Sequence, residues 1–406
     1  MKRFITINHK VIEMDPNYFL SLLVFVLLVG LAITLISRKL RISHVLFLIL
    51  GGLILGSQAS NLDIQISHFA LVILAIIALV TIVFDGSSKF KIKTVDDLSF
   101  KAIKLILWFI FFNILIITIP VSFLFFGSLD AVSIIYSIIF AVIMAATDPA
   151  TLFSILREKT NRVIEFVKVE SIINTPLTII LPFVFLSLID NINLAPASLI
   201  EVYFTNLMTN VIVGIGAGVL IGFTYFKAMK KFYSEKISPL ALITACLLTY
   251  ILSENIGGSG VLAVAVLGFI FGNMWLSHKE ELKEFSSMFS GVLEILVFIS
   301  LGFIVQLNLN FKFVLYSFII FLLLIVSRYL SVYLFKKEYD SKERWFLTLN
   351  MPKGVGTAVL VFSLSVLGYS GLEVVNNLII MVMIYSLVLS TIVCKYSDRF
   401  INLKID

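Results

Sequence analysis

Thirteen long apolar stretches fill this chain of 406 residues, and they constrain its fold more than any motif does. Hydrophobic residues make up 60% of the sequence, charged residues only 14%, and the mean hydropathy is +1.07. About 20 apolar residues are needed for a helix to cross the roughly 30 Å hydrocarbon core of a bilayer. The stretches are too long for barrel strands, so they predict an all-α polytopic membrane protein. The predicted spans are 18–37, 42–57, 66–84, 102–126, 131–154, 164–189, 204–226, 237–253, 259–276, 288–307, 313–335, 345–369 and 375–394.

The distribution of basic residues predicts the orientation of these spans. Most of the 31 Lys and Arg residues fall in the connections after odd-numbered spans and in the C-terminal tail. Because cytoplasmic loops are enriched in basic residues, we expect an outer N-terminus and a cytoplasmic C-terminus. The net charge of +6 is therefore a topology signal and does not indicate nucleic-acid binding. Abundant Ile, Lys and Asn, with no recognisable targeting segment, favour a multi-pass protein of a prokaryotic cytoplasmic membrane.

Several other classes of protein do not fit the sequence. Cys246 and Cys394 lie in different spans and predict neither a disulfide framework nor a metal site. The four histidines lie near span ends without ligand spacing, which disfavours a membrane-embedded enzyme that needs a metal or a proton shuttle. No glycine-rich loop is present to hold a nucleotide phosphate. We therefore expect a protein that is not an enzyme and that has no cofactor.

Five ionisable residues inside the spans are predicted to lie at one depth. With a helix rise of about 1.5 Å per residue, each falls about 9–12 Å from the cytoplasmic end of its span. Since each charge would cost several kcal/mol if it faced lipid, we expect these side chains to face the bundle interior and to neutralise one another. They are Asp148, Glu170, Glu294, Arg328 and Lys353.

Two of the spans carry helix-breaking residues. Span 5 contains Thr147-Asp148-Pro149-Ala150, and span 12 contains Met351-Pro352-Lys353-Gly354-Val355-Gly356. Proline removes a helix hydrogen bond and disfavours helix for the residue before it. Both spans are therefore predicted to be interrupted. At the breaks, a carboxylate such as Asp148 would compensate helix N-termini, and a cation such as Lys353 would compensate C-termini.

The positions of the two interrupted spans predict an internal repeat. Spans 5 and 12 are equivalent partners if two six-span repeats of inverted orientation are joined by span 7. Paired interrupted helices in corresponding positions indicate the binding site of a secondary transporter. We predict a first repeat over 1–189, a linking segment over 190–236 and an inverted second repeat over 237–406, all within one transporter unit.

The motifs in these spans resemble a known family. Thr147-Asp148-Pro149-Ala150, followed by Glu170-Ser171-Ile172-Ile173-Asn174, resembles the core of the sodium/proton antiporters of the NhaP and NHE type. Ser327-Arg328-Tyr329 resembles the arginine of their eleventh helix, and Pro352-Lys353-Gly354 resembles their P-R-G element. The segment from Gly257 to Ala263 and Glu294 also fit family positions, so the resemblance covers essentially the whole chain.

The resemblance implies a homodimeric transporter that exchanges a monovalent cation for H⁺ by alternating access. The resemblance favours Na⁺ as this cation, with Li⁺ and K⁺ as alternatives. It also implies that a core domain would slide against a dimerisation domain in an elevator-like movement. In that family Glu170 would pair with Arg328, and Asn174 would hydrogen-bond to the broken helices around Asp148. Ser171 and the backbone near Thr147 would coordinate the cation. Glu294 has no obvious place in the ion site and is expected to be structural or gating.

The sequence departs from the family at Thr175. The family has an aspartate after Asn174 that binds the cation in one half-cycle and the proton in the other. Threonine offers a neutral hydroxyl that cannot exchange a proton for a cation near neutral pH. The carrier aspartate of the resemblance is therefore missing.

Three hypotheses follow from this departure. In the first, exchange persists with Asp148 as the carrier, Glu170 as second choice, and Ser171, Asn174 and Thr175 as neutral oxygen ligands. In the second, the protein is an uncoupled cation pathway. In the third, it is a transport-inactive variant or regulatory paralogue. A transporter of anionic solutes is a further alternative, in which Arg328 and Lys353 would bind the solute and neutralisation of Asp148 would be tolerated.

Overall fold

The computed structural model describes residues 16–40, 44–59, 68–89, 97–148, 159–189, 196–276, 278–304, 310–366, 369, 371–401 and 404–405. This part of the chain is almost entirely helical. A short antiparallel ribbon pairs β1 (Lys159–Thr160) with β2 (Lys404–Ile405). The fourteen described α-helices are α1 Pro16–Leu40, α2 His44–Ala59, α3 His68–Ser88, α4 Asp97–Val121, α5 Ala131–Ile143, α6 Arg162–Ile189, α7 Pro196–Lys231, α8 Ser238–Ile256, α9 Gly260–Asn273, α10 Lys279–Ile304, α11 Phe311–Tyr333, α12 Ser341–Leu349, α13 Val355–Val366 and α14 Leu372–Lys395.

The composition of these helices confirms the predicted multi-pass membrane protein. Among the described residues, six helices are long and apolar enough to cross a membrane. Six further apolar helices are shorter. Their surfaces expose large apolar side chains such as Leu115, Leu220 and Phe318, as expected for helices that face lipid.

The helix bounds differ from the predicted spans where the chain is interrupted. Each of α1 to α11 corresponds to one predicted span, but span 12 is divided into α12 and α13, which gives fourteen helices for thirteen predicted spans. The helix α5 ends at Ile143, and residues 144–148 of span 5 do not continue it. Both interruptions were predicted. Pro149, which was expected to help break span 5, lies outside the described residues.

The helices pack as two bundles. One bundle contains α1–α3 and α7–α10, and the other contains α4–α6 and α11–α14. The two are in contact, since α13 packs on α3 and α10 as well as on α14, and α6 contacts α3 and α9. Small residues allow close packing in the first bundle. A Cβ on Gly218 would lie 2.4 Å from the Ala263 carbonyl oxygen, and one on Gly268 would lie 2.6 Å from the Phe84 carbonyl oxygen. Each bundle takes helices from both predicted repeats, and the repeat relation itself stays a prediction.

The helix α12 has a well-defined start. The Asp340 carboxylate accepts a hydrogen bond from the Glu343 backbone N–H at 2.8 Å, and the Glu343 carboxylate accepts one from the Asp340 N–H at 3.0 Å. This reciprocal arrangement satisfies two backbone donors at the helix N-terminus. Glu343 also accepts hydrogen bonds from Arg162 at the start of α6, at 2.8 and 3.2 Å. The Glu343 carboxylate raises the pKa of Arg162 and joins the beginnings of α6 and α12.

Candidate functional site

The two interrupted segments meet in the second bundle. Residues 144–148, which follow α5, and residues 350–354, which separate α12 from α13, form what we call the helix crossing. The Asp148 backbone N–H donates to the Pro352 carbonyl oxygen at 2.9 Å. Two segments far apart in sequence therefore leave the helical conformation at one place. Their unpaired backbone groups require partners from elsewhere in the fold.

Lys353 provides one of these partners. Its Nζ donates to the Ala146 carbonyl oxygen at 2.7 Å, and its own backbone N–H donates to Ser386 Oγ at 3.1 Å. The lysine is fully buried. The ammonium thus lies at the carbonyl end of α5, where a positive charge is favourable.

Asp148 lies at the start of α13. The residue is only 7% exposed. A Cβ on Gly354 would lie 2.3 Å from Asp148 Oδ2 and 2.1 Å from its Cγ, so the carboxyl group lies directly over Gly354. Gly354 precedes the first residue of α13, and backbone N–H groups at a helix start favour a negative charge.

Asn174 connects α6 to the helix crossing. Its Nδ2 donates to the Ala145 carbonyl oxygen at 2.6 Å and to Thr147 Oγ1 at 3.2 Å. The side chain is fully buried, and Thr178 one turn later donates to the Asn174 carbonyl oxygen at 3.0 Å. The amide therefore satisfies a carbonyl that α5 leaves free where it ends, and it orients the Thr147 hydroxyl.

Glu170, one turn before Asn174 on α6, forms a buried ion pair with Arg328 of α11. Arg328 Nη1 donates to Glu170 Oε1 at 2.8 Å, and Nη2 donates to Oε2 at 2.6 Å. The Arg328 Nε donates to the Leu347 carbonyl oxygen in α12 at 3.2 Å. Neither side chain is exposed. Because both carboxylate oxygens are used, the pair ties α6, α11 and α12 together next to the helix crossing.

Phe109 on α4 contacts both buried cations, a role that the sequence did not indicate. The centre of its ring lies 4.8 Å from the Arg328 guanidinium carbon and 5.4 Å from Lys353 Nζ. A ring face within about 6 Å attracts a cation. The spacing of Phe109 in a helix full of apolar residues contains no signal for this contact.

A cavity of about 240 Å³ reaches the helix crossing from the end of the molecule where α3 ends and α10 begins. Thr147, Asp148 and Thr178 line one side of it. The other side comes from the first bundle and includes polar residues of α2, α3 and α10. These are His44, Asp85, Ser287, Ser290 and Glu294, with Lys89 just after α3. A wider opening of about 480 Å³ shares Lys89 and Ser287 with this cavity and leads outward from it.

Glu294 lies on the wall of the first bundle. Its Oε1 is 2.9 Å from His44 Nε2, and the two side chains are 16% and 22% exposed. Glu294 therefore lines the same cavity as Asp148, but its carboxylate is paired with His44. The expected structural or gating role of Glu294 stays a prediction.

The structure brings most of the predicted site residues together. Thr147, Asp148, Asn174, Lys353 and the Glu170–Arg328 pair all lie at the helix crossing or next to it. Ser171 is fully buried on α6. Thr175 follows Asn174 in the same helix, and its side chain lies outside the described part of the structure.

Sequence reasoning missed Asp85 and its neighbours. The predicted end of span 3 was residue 84, whereas α3 continues to Ser88 and carries Asp85 in its last turn. A charged residue one position beyond an apolar window looks like a loop residue. A helical projection that continued for one further turn would have placed it inside the bundle.

Comparison with known protein families settles the class to which this arrangement belongs. The family model described as sodium/hydrogen exchanger, transmembrane, matches residues 23–395, which is nearly the whole chain. The chain belongs to the sodium/hydrogen exchanger family. Members of this family are transporters rather than enzymes, so the expected exchanger class is confirmed.

Individual relatives differ in the cation that their names print. The Na(+)/H(+) antiporter 1 of Methanocaldococcus jannaschii is 27% identical over 86% of this chain and 83% of its own length. A second protein of that organism, named probable Na(+)/H(+) antiporter 2, is 28% identical over 86% and 84%. The K(+)/H(+) antiporter NhaP2 of Shewanella oneidensis is 24% identical, and the match spans 60% of this chain but only 44% of that relative.

A solved structure shares the fold. The sodium proton antiporter MjNhaP1 from Methanocaldococcus jannaschii at pH 8 superposes with a TM-score of 0.73. It covers 93% of this chain and 100% of the other at 24% identity. The predominantly helical fold described above is therefore that of an antiporter of the NhaP type.

Proposed function

We propose that this chain exchanges a monovalent cation for H⁺ across a membrane, with Asp148 as the group at which the two ions compete. The observation that carries the proposal is the position of Asp148. Its carboxyl group lies at the helix crossing and lines the cavity that leads out of the bundle. A carboxylate can hold either a proton or a cation, and this exclusivity couples the two ions.

Neutral oxygens complete the proposed cation site. The Thr147 hydroxyl and Asp148 line the cavity, while Asn174 holds Thr147 by a hydrogen bond of 3.2 Å. Ser171 and Thr175 are further candidate ligands on α6, as the sequence suggested. Hard monovalent cations bind such hydroxyl, carbonyl and carboxylate oxygens. The Glu170–Arg328 pair has both carboxylate oxygens occupied and is proposed to be structural.

Na⁺ is the proposed cation. The two relatives that match more than four fifths of this chain are named as Na(+)/H(+) antiporters. The relative named as a K(+)/H(+) antiporter matches a smaller part. Li⁺ and K⁺ are the competitors to be compared in the assay below.

The two-bundle architecture supports an elevator-like mechanism. The cation site belongs to the bundle of α4–α6 and α11–α14, and the opposite wall of the cavity belongs to the bundle of α1–α3 and α7–α10. Movement of the bundle that contains Asp148 against the other bundle would carry Asp148 away from this cavity and toward the opposite face of the membrane. Because basic connections lie next to the cavity, we infer by the positive-inside rule that it opens on the cytoplasmic side of the membrane. The state described here is then open to the cytoplasm.

The remaining features of the proposal follow the sequence. We place the protein in a prokaryotic cytoplasmic membrane as a homodimer, with the N-terminus outside and the C-terminus in the cytoplasm. No alternative orientation puts the basic connections on the side that the positive-inside rule requires.

The proposal is tested with purified protein in proteoliposomes that contain a pH-sensitive dye. Addition of Na⁺, Li⁺ or K⁺ outside is expected to cause saturable proton movement. Asp148→Asn preserves the size of the side chain but removes its titration, so it should abolish this movement. Glu235→Gln, which changes an exposed carboxylate in the α7–α8 connection, is the matched control and should leave it unchanged. Exchange that persists in Asp148→Asn would refute Asp148 as the carrier.

Thr175 favours a second candidate function, an uncoupled or inactive transporter. In that case the chain moves no protons, and Thr175→Asp restores cation-driven proton movement. The same assay decides between the two, because the proposed function requires exchange without that substitution.

A further inference from the structure

Asp85 is a second carboxylate in the cavity that holds Asp148. It lies in the last turn of α3 and therefore belongs to the first bundle, on the wall across from the helix crossing. The residue is 7% exposed. A carboxylate so far removed from solvent is rare in a bundle of this composition and requires compensation.

The compensation of Asp85 is incomplete. Its Oδ2 accepts a hydrogen bond from Lys89 Nζ at 2.6 Å, one helical turn further along the chain. Its Oδ1 is buried and has no hydrogen-bond partner among the described residues. An anionic oxygen left in this state carries the full cost of its lost hydration. A cation or a water molecule next to Asp85 Oδ1 would offset this cost.

Lys89 lies between the wider opening and the inner cavity. Its side chain is 43% exposed, and it lines both the wider opening and the inner cavity. Because the Lys89 ammonium is partly exposed, solvent screens its attraction to Asp85 and can rehydrate it when the pair opens. The ammonium can therefore leave Asp85 when another cation arrives.

The other charged residues that line the cavity pair with each other or lie on the opposite wall. His44 of α2 and Glu294 of α10 pair with each other at 2.9 Å. Asp148 lies over Gly354 at the start of α13, and the lining residues from α13 are uncharged. Ser287 and Ser290 of α10 add hydroxyl groups to the lining of the same cavity, and Ser290 donates to the Thr81 carbonyl oxygen of α3 at 3.3 Å.

We propose that Asp85 is the principal ligand of a second monovalent-cation site on the α3 wall of the cavity, where an arriving cation replaces the Lys89 ammonium. The cavity of about 240 Å³ has room for such a cation together with several waters. The replacement exchanges one cation for another and moves no proton. The cation would then pass from Asp85 to Asp148, so this role rests on the proposed function.

The site has a sidedness that distinguishes it from the helix crossing. Asp85 belongs to the bundle that does not carry the crossing, so it faces Asp148 only while this cavity is open. It should therefore govern cation affinity at the cytoplasmic face.

Cation affinity at that face is measured in everted membrane vesicles, as the Na⁺ concentration that gives half-maximal collapse of a pH gradient. Asp85→Asn is expected to raise the KM for Na⁺ about tenfold, the change that corresponds to ~1.4 kcal/mol. Lys89→Met keeps the length of the side chain but removes the competing ammonium, so it should lower the KM. Lys101→Met, at a lysine that is 39% exposed and paired with Glu338, is the matched control and should leave the KM unchanged.

The opposite signs of the two effects test the proposal against a merely structural ion pair. A structural Asp85–Lys89 pair would make both variants act in the same direction or not at all, and either result would overturn the proposal. If Asp85→Asn does not fold, Lys89→Met alone decides the matter, because a raised or unchanged KM contradicts competition at Asp85.

A binding measurement separates this site from the exchange function. Purified Asp148→Asn protein is titrated with Tl⁺ by calorimetry, and binding should remain and then disappear in the Asp85→Asn, Asp148→Asn double variant. Tl⁺ binding that depends on Asp85 in a protein without exchange would support the site while the proposed function fails. Exchange that depends on Asp148, with no Tl⁺ binding at Asp85, would leave the function in place and refute the site.

Discussion

Glu170 and Arg328 are fully buried, and the two hydrogen bonds of 2.8 and 2.6 Å between them leave neither carboxylate oxygen without a donor. Nearby, Lys353 donates to a backbone carbonyl at the end of α5 and shares the ring of Phe109 with Arg328. At the scale of single residues, each of these three buried charges thus has a specific partner. Desolvation of these groups is costly, and the cost is offset only while the partners remain in place.

Removal of one member of the buried pair should destabilise the protein strongly. Arg328→Met leaves the Glu170 carboxylate buried without its cation, at a cost of about 3–5 kcal/mol. Lys101→Met breaks an exposed pair with Glu338 and should cost at most about 1 kcal/mol. Thermal unfolding in detergent measures both. A loss for Arg328→Met no larger than that of Lys101→Met would show that the pair is not under the predicted constraint.

Single residues also show what the sequence could indicate about the site. Asp148 and Lys353 were predicted as compensating charges because proline and glycine beside them are local signals of a broken helix. The partner of Glu170 lies 158 positions away and was identified through the family resemblance, since no local rule pairs residues at that distance. Asp85 was missed because the apolar window ended one residue before it.

At the scale of elements, the helix crossing is the feature that distinguishes this fold from a simple bundle. Its backbone groups are satisfied by Lys353, by Asn174 and by the bond from Asp148 to Pro352. The interruption of both segments could be read from the sequence. The ends of the helices could not be read from it. The helix α5 stops at Ile143, several residues before Pro149, because tertiary contacts replace helix hydrogen bonds at Ile143.

The close contact at Gly354 gives a test of the helix crossing. A methyl group there would lie 2.1 Å from Asp148 Cγ, so Gly354→Ala must move one of the two segments. Overpacking of this kind costs about 1–3 kcal/mol. We expect Gly354→Ala to lower the unfolding temperature in detergent and to impair exchange in proteoliposomes.

The matched control for this variant lies on another wall of the same cavity. Gly291 in α10 also lines the cavity, and a Cβ there would meet no atom within 4 Å. Gly291→Ala should be neutral or stabilising by about 0.4–1 kcal/mol, because alanine loses less backbone entropy on folding. Equal effects of the two substitutions would mean that the helix crossing tolerates displacement.

At the scale of the whole molecule, the arrangement of two bundles around one cavity could not be derived from the spans alone. Periodicity within the spans shows that they are helices, but the pairing of α3 with α9 and α13, or of α4 with α11, depends on long-range packing. Composition was sufficient for the class of protein, since 60% hydrophobic residues in long stretches admit few folds outside a membrane.

The orientation of the whole molecule is testable by cysteine labelling. Cys246 and Cys394 are buried, so their replacement by serine provides a background without reactive thiols. Leu129→Cys, in the exposed α4–α5 connection, should react with a membrane-impermeant maleimide on intact cells. Lys337→Cys, in the α11–α12 connection, should react only after the membrane is opened. The reverse pattern would place the cavity on the outer face and invert the proposed orientation.

The central claim, that a cation and a proton compete at Asp148, is tested most directly by the protons released when Na⁺ binds. Calorimetric titration of the purified protein in buffers of different ionisation enthalpy gives this number over a range of pH. We predict release of about one proton per cation bound at the pH where exchange runs, since one carboxyl group must give up its proton. In Asp148→Asn the release should vanish, even if Na⁺ still binds at Asp85. Proton release that is unchanged in Asp148→Asn, or Na⁺ binding to the natural chain with no proton release at any pH, would contradict the account.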